Sequence, residues 1–235
     1  MLEASRRRIA ETLPPDAVVL DVGGWADPLP RADWVIDAMP YETRGLYERR
    51  GWVEREDSEP ERFGADTWIA RDLCDREPFP FGDGEIGFAV CAHTLEDLRD
   101  PVWVCSELSR VARAGYVEVP SRLEEQSYGF EGDWVGWSHH RWLIDVDGAA
   151  MTFVGKHAEL AAKPAAQFPA GFRDGLSEEE RVQQLWWEGG LQARERLFFD
   201  AGDYDEYLTS FVAAAVARRP EAAPGRGRLG RLLGR

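Results

Sequence analysis

Residues 71–121 read RDLCDREPFPFGDGEIGFAVCAHTLEDLRDPVWVCSELSRVARAGYVEVPS, and the order of signals in this stretch decides the fold class. An acidic turn at Asp72 leads through a Pro/Gly-rich loop into an apolar run, Glu85 to Cys91, of strand length. Asp100-Pro101 then opens a helix, with Asp as cap and Pro at the first position. Val102, Cys105, Leu108, Val111 and Ala112 recur at three- and four-residue spacing, so one face of that helix packs on a sheet. Gly115 is expected just past its end, and Gly115 to Val119 reads as a second strand, stopped by Pro120. Strand, helix, strand is half of an open α/β sheet, whose carboxyl-end crevice is where ligands bind.

Outward from this stretch the same alternation continues. Leu2 to Leu13 reads as a helix stopped by Pro14-Pro15. Ala17 to Leu20, Ala32 to Ile36 and Thr67 to Ala70 are short apolar strands, as expected where helices cover both faces. After Pro120 the character changes. Residues 121–140 are polar, aromatic and Gly-containing, and read as an insertion or lid. Asp147-Gly148 and Gly189-Gly190 each separate two strand-like runs and predict two antiparallel hairpins. Tyr204 to Ala217 closes as a helix. The expected organisation is one α/β domain over 1–217, with a mainly parallel core over 16–120 and antiparallel hairpins in the 141–217 part. Residues 218–235 hold six Arg against one Glu and read as a flexible tail.

The chain has 235 residues and a net charge of −15, which argues against a broad nucleic-acid footprint. Arg6 to Arg8 are followed by no apolar run, so no secretory signal is read. The longest apolar run, Phe211 to Ala217, is too short to span a bilayer. Cys74, Cys91 and Cys105 have no metal-like spacing. A cytoplasmic setting is the expectation; the oligomeric state stays open.

Asp21, Asp37 and Asp72 end three successive strands. In a parallel sheet those ends share one crevice, where acids accept hydrogen bonds from ribose hydroxyls, an exocyclic amine or an ammonium group. At this point the chain resembles a class I S-adenosylmethionine-dependent methyltransferase over roughly residues 16–120. The resemblance rests on Asp21-Val-Gly-Gly24, Asp37, Asp72-Leu73, Pro78-Phe-Pro-Phe-Gly-Asp-Gly-Glu85, Leu95-Glu-Asp97, Asp100-Pro101, Glu107-Leu108 and Arg110-Val111. It implies a Rossmann-like methyltransferase sheet with S-adenosyl-L-methionine as cofactor. Asp21, Gly23 and Gly24 would approach the methionine and ribose portions, Asp37 the ribose hydroxyls, Asp72 and Leu73 the adenine. Ala92 and His93 would lie near the donor's methyl. The segment GGxxxPxPRADxxxD with a later HRW also resembles a narrower group of bacterial methyltransferase-domain proteins, some linked to surface-glycan or natural-product clusters.

The chain departs from the pattern at Trp25 and Asp27, which replace glycines of the usual loop, and at Asp97, where many relatives carry His. Pro28 and Pro30 crowd the short span from Asp21 to Asp37, so the first crossover helix is expected to be shortened or missing. G-x-G-x-x-G is not supplied, which disfavours a nicotinamide enzyme.

Ser138-His139-His140-Arg141-Trp142 follows the insertion. One His could serve as general base toward a hydroxyl or amine, or the pair could pin the insertion to the core. His93 is a further catalytic or positioning candidate. Arg141, Trp137 and Trp142 are candidates for binding a small-molecule or glycan acceptor. No metal site is expected, since no second cluster offers convergent ligands. Glu118, Glu124 and Glu125 read as solvated acids. A methyltransferase is the leading reading, and a non-catalytic methyltransferase-fold binding or regulatory protein the alternative.

Overall fold

A computed structural model describes residues 1–52 and 60–219; most of the Arg-rich tail expected over 218–235 lies outside the described residues. The chain opens with α1 (Glu3–Thr12), followed by β1 (Val19–Val22), β2 (Trp34–Asp37), the single turn α2 (Leu46–Arg49), β3 (Trp68–Ala70) and β4 (Ile86–Ala92). Then come α3 (Pro101–Val111), β5 (Ala112–Pro120), α4 (Arg122–Glu125) and the pair β6 (Trp142–Asp147) and β7 (Ala150–Gly155). The chain continues through α5 (Glu178–Arg181), β8 (Val182–Glu188), β9 (Gln192–Glu195) and α6 (Ala201–Arg218).

Six strands form the main sheet in the order β3-β2-β1-β4-β5-β8. The first five are parallel, and β8 runs antiparallel to β5 from Ala114↔Glu188 to Pro120↔Val182. The fold is α/β and Rossmann-like, with antiparallel strands in the C-terminal third. The order 3-2-1-4-5 places a topological switch between β1 and β4, where such sheets open a crevice beyond the strand ends.

Alternate residues sort to the two faces of the sheet. Leu20, Ile36, Ala89, Cys91, Val117 and Leu185 belong to one core, which α3 covers with Val104, Cys105, Leu108 and Val111. Val19, Val35, Phe88, Val90 and Tyr116 belong to the other, with Ile9 of α1 packed among them. Each fully buried Val, Leu, Ile or Phe among these contributes about 1.5–3 kcal/mol. The Asp100 carboxylate accepts from the Trp103 N–H and caps α3 as expected.

Gly115 does not terminate α3. The helix passes into β5 at Ala112 with no glycine between, and Gly115 sits inside the strand. A Cβ there would lie 2.5 Å from the Ala89 carbonyl oxygen and 2.5 Å from the Trp187 ring. The glycine makes room for packing, not for a turn.

No helix joins β1 to β2 among the described residues, in line with the two prolines. The loop from Gly23 to Asp33 makes the crossover.

β6 and β7 form the hairpin expected at Asp147-Gly148, closed by Gly148 in the left-handed region and Ala149. The second expected hairpin is a different object. β8 pairs with β5 in the main sheet, whereas β9 runs parallel to β7 in a separate β6-β7-β9 sheet. Gly189 and Gly190, both at positive φ, carry the chain from one sheet to the other. The small sheet adds Ile144, Met151 and Phe153 to the α3-side core, and its Leu143 and Val154 pack with Tyr204 and Leu208 of α6.

Residues 121–127, the start of the expected lid, are buried almost throughout. The Ser121 hydroxyl caps α4, and the Gln126 amide donates to the carbonyls of Ala166 and Leu208. A polar segment is buried here because its groups find internal partners. No described helix is long and apolar enough to cross a membrane.

Candidate functional site

At the switch point, a pocket is lined by Asp21, Gly23, Gly24, Leu29, Val90, Ala92 and His93, together with Met1 and Tyr47. Five of the residues expected near a methyl donor thus meet at one place: Asp21, Gly23, Gly24, Ala92 and His93. The enclosed cavity is only about 30 Å³, roughly one water's share of liquid volume. Ligand pockets of ordinary size are about 300–1,000 Å³.

The glycines serve the protein's own packing. A Cβ on Gly23, whose φ is +82°, would lie 2.1 Å from the Thr94 hydroxyl oxygen, and one on Gly24 2.3 Å from Asp21 Oδ2. Asp21 Oδ2 accepts the Leu29 N–H at 2.8 Å. Burial pushes its carboxyl up to about 7, against the lowering effect of that hydrogen bond. Asp37 accepts the Trp25 N–H through Oδ2 at 3.0 Å and the Met39 N–H through Oδ1 at 2.8 Å. Its carboxyl is also raised by burial, with these bonds opposing.

Asp37, Asp72 and Leu73 do not line the pocket. Asp72 is exposed, accepts the Cys74 N–H and pairs with Arg99 at 2.8 Å, while Leu73 is buried in the core beneath. The donor set therefore suits a nucleoside in kind, with acids and small residues at the crevice. It does not fit in space: the cavity is too small and the two buried carboxylates hold the loop's own N–H groups.

His93 stands just past β4 with φ +52°, a conformation that side chains other than glycine rarely adopt. Its N–H donates to the Glu118 carbonyl. Its Nε2 lies 2.9 Å from Glu118 Oε1 and its Nδ1 3.6 Å from Glu96 Oε1. Burial would lower the imidazole pKa, but the two carboxylates prevail and raise it to about 9. Glu118, which burial alone would raise, is brought down to about 2 by His93. His93 is thus an imidazolium at neutral pH and cannot act as a general base there.

Glu118 is a residue the sequence reading placed in solvent. It is fully buried, and it also accepts from the Tyr116 hydroxyl and from the Leu2 N–H at the head of α1. It points to the α1 side because it shares the parity of Tyr116 on β5.

Glu124 and Glu125 are likewise buried. Arg173 pairs with Glu124 at 2.8 Å, and the Trp137 indole donates to the same oxygen. Glu125 Oε1 lies 2.7 Å from His140 Nδ1, and Lys156 Nζ donates to Oε2 at 2.7 Å. His140 is raised above its usual pKa by Glu125, against burial.

His139 is exposed, with its ring 4.6 Å from that of His140. Arg141 is exposed, and its main chain bonds Glu96 and Lys156. Trp142 packs on the α3-side core and donates to the Leu98 carbonyl at 2.8 Å, so its burial accounts for it. The pattern reading that set Glu118, Glu124 and Glu125 in solvent had no signal for their partners, which arrive from distant segments.

No family model matches the chain, and no curated protein matches it. Solved structures are similar over about half the chain. A SAM-dependent methyltransferase from Aquifex aeolicus is 18% identical with a TM-score of 0.34, over 50% of this chain and 64% of that one. A SAM-dependent methyltransferase from Methanosarcina mazei is 18% identical with a TM-score of 0.36, over 48% and 57%. The YcgJ protein from Bacillus subtilis is 17% identical with a TM-score of 0.35, over 51% and 52%. The match thus spans less than two thirds of each of these proteins, and the fold stands on its own strand order.

Proposed function

We propose that the protein is an S-adenosylmethionine-dependent methyltransferase acting on a hydroxyl or amine of a small molecule or glycan precursor. The observation that supports this best is the meeting of Asp21, Gly23, Gly24, Ala92 and His93 at the switch point of the sheet, where open α/β sheets bind their ligands. The cofactor would supply an electrophilic methyl group. For it to enter, the Met1 side of the pocket has to open and Asp21 and Asp37 have to exchange loop N–H groups for ligand hydroxyls. On the acceptor side, His139 is the histidine suited to take a proton, since His93 and His140 are held by carboxylates. Trp137 and Arg141 would frame the acceptor.

The second reading is a non-catalytic methyltransferase-fold protein. It is favoured by the same carboxylates: Asp21 and Asp37 already accept from Leu29, Trp25 and Met39. Calorimetric titration with S-adenosylmethionine and its demethylated product separates the two. Binding in the micromolar range supports the enzyme, whereas no heat at high-micromolar ligand with folded protein sinks it.

A further inference from the structure

We propose that Asp97, His139 and His140 form a binding site for a divalent transition-metal ion of the zinc class. One ligand atom from each of these residues lies within 4.8 Å of the others, the group of this kind found among the described residues. His140 Nε2 is 3.9 Å from Asp97 Oδ1. Two atoms that each stand about 2.0–2.2 Å from a shared ion can be no more than about 4.3 Å apart, so this pair is already within range. The exposed ring of His139 completes the set by rotation about its own side-chain bonds.

The surroundings hold His140 as metal sites hold a ligand. Its Nδ1 is 2.7 Å from the buried carboxylate of Glu125, which leaves Nε2 on the Asp97 side. A ligating histidine ordinarily has its second nitrogen bonded to a carboxylate in this way. Glu125 is itself fixed by Lys156 Nζ, which also donates to the Trp137 carbonyl at 2.7 Å. The main chain closes tightly over this platform at Gly136, where a Cβ would lie 2.7 Å from both Glu125 Oε2 and Lys156 Nζ.

Glu96 adds an independent reason. It is buried, and neither of its carboxylate oxygens has a hydrogen-bond partner. Its nearest cation is His93, 3.6 Å away. Its carbonyl accepts the Arg141 N–H, which ties the turn carrying Asp97 to the segment that follows His140. A cation at the mouth of this cluster would give a buried polar group that lacks hydrogen-bond partners a second electrostatic partner beside His93.

Two imidazoles and one carboxylate suit zinc, cobalt or nickel better than calcium or magnesium, which prefer all-oxygen sites. Three protein ligands leave a position open for water or a ligand oxygen. Binding of the ion does not depend on the methyl-transfer reading. Its consequence does: with His139 engaged as a ligand, the ion would promote loss of the acceptor's proton by binding its oxygen, in place of proton removal by His139.

The test is titration of the untagged, chelator-stripped full chain with zinc chloride by calorimetry, and with cobalt chloride by visible absorption. One ion per chain is expected, with a cobalt spectrum free of a thiolate charge-transfer band. His139→Ala and Asp97→Asn, both at exposed positions, should each weaken zinc binding at least tenfold while the metal-free melting temperature stays put. His157→Ala should leave affinity unchanged. Glu125→Gln should weaken binding through the orientation of His140, by about 10–100-fold. Absence of stoichiometric zinc uptake, a thiolate band, or wild-type affinity in both His139→Ala and Asp97→Asn would overturn the site. Metal binding without any response to S-adenosylmethionine would retire the methyl-transfer reading and leave the site standing.

Discussion

His93 Nε2 lies 2.9 Å from Glu118 Oε1, and the same carboxylate receives the Leu2 N–H at the head of α1. The carboxyl end of β5, the turn after β4 and the first helix therefore meet on one buried charge. A negative group at a helix N-terminus is favourable in itself, and the imidazolium compensates what Glu118 loses by leaving water.

This pairing makes stability depend on pH at both ends. His93 is raised from 6.5 to about 9 in the folded protein, so its contribution is fully present below pH 6.5 and is lost as pH rises through 9. Glu118 is lowered from 4.5 to about 2, so its contribution is present above 4.5 and is lost as pH falls through 2. The difference in melting temperature between wild type and His93→Gln should be largest near pH 5–6 and shrink toward pH 10. A difference that stays constant across that range would show that His93 is not charged in the fold.

Asp21 works in the opposite sense. Its carboxyl is raised from 3.8 to about 7 by burial, so the folded state holds a proton that the unfolded state releases, and stability falls as pH rises from 3.8 through 7. Asp21→Asn keeps an oxygen for the Leu29 N–H and removes the buried charge. The variant should be more stable than wild type at pH 8 and nearly equal to it at pH 4, measured by urea unfolding. A less stable variant at pH 8 would mean that the carboxylate has a partner that compensates its burial.

Asp37, at the end of β2, and Asp72, just past β3, separate stability from binding. Asp37→Ala strips the acceptor from the Trp25 and Met39 N–H groups; a buried donor left without a partner costs about 1–3 kcal/mol, and since Trp25 is half-buried and Met39 exposed the expected loss lies at the lower end. Asp72→Ala removes an exposed pair with Arg99, worth at most about 1 kcal/mol, and the acceptor of the Cys74 N–H. Asp72→Ala is therefore the cleaner probe of an adenine site. On the proposed function, with the adenine reaching beyond the pocket to Asp72, at least a tenfold loss of S-adenosylmethionine affinity is expected with only a small change in melting temperature, and unchanged affinity would move the adenine elsewhere.

Gly115 gives a packing prediction. With the Ala89 carbonyl and the Trp187 ring both 2.5 Å from a Cβ, Gly115→Ala forces β4, β5 or β8 to shift. Overpacking of this kind costs about 1–3 kcal/mol. Guanidinium unfolding should show that loss, and a neutral result would mean that Trp187 can swing aside.

The strands, α3 and the Asp147-Gly148 hairpin were legible because each carries a local period or turn signal. Gly115 was misread for the same reason: a glycine after a helical pattern resembles a helix stop, and its actual partner, Trp187, is remote in sequence. Gly189-Gly190 was read as a hairpin because local signals do not say whether the two flanking strands pair with each other or with β5 and β7. That Asp21 lies at the end of β1 was legible from the strand pattern, and that Gly23, Gly24, Ala92 and His93 gather beside it followed from the resemblance. Glu118, Glu124 and Glu125 were not, because an acid is buried only when a partner arrives, and His93, Arg173, Lys156 and His140 arrive from other segments. Glu96 and Asp97 gain their meaning only when the turn after β4 meets the His139-His140 turn.

The Glu125–Lys156 pair tests that last point energetically. Both side chains are almost fully buried, at 1% and 4% exposure, so removal of one partner strands the other. Lys156→Met leaves Glu125 with His140 as its remaining cation and takes the donor from the Trp137 carbonyl. Breaking a buried pair from one side typically costs about 3–5 kcal/mol, and the retained His140 contact places the expected loss at the lower end. Adding Glu125→Gln to Lys156→Met removes the stranded charge and should recover part of the loss, a coupling that a double-mutant cycle in urea unfolding reads directly. Strict additivity of the two substitutions would mean that Glu125 is compensated by His140 alone, and that Lys156 serves only the Trp137 carbonyl.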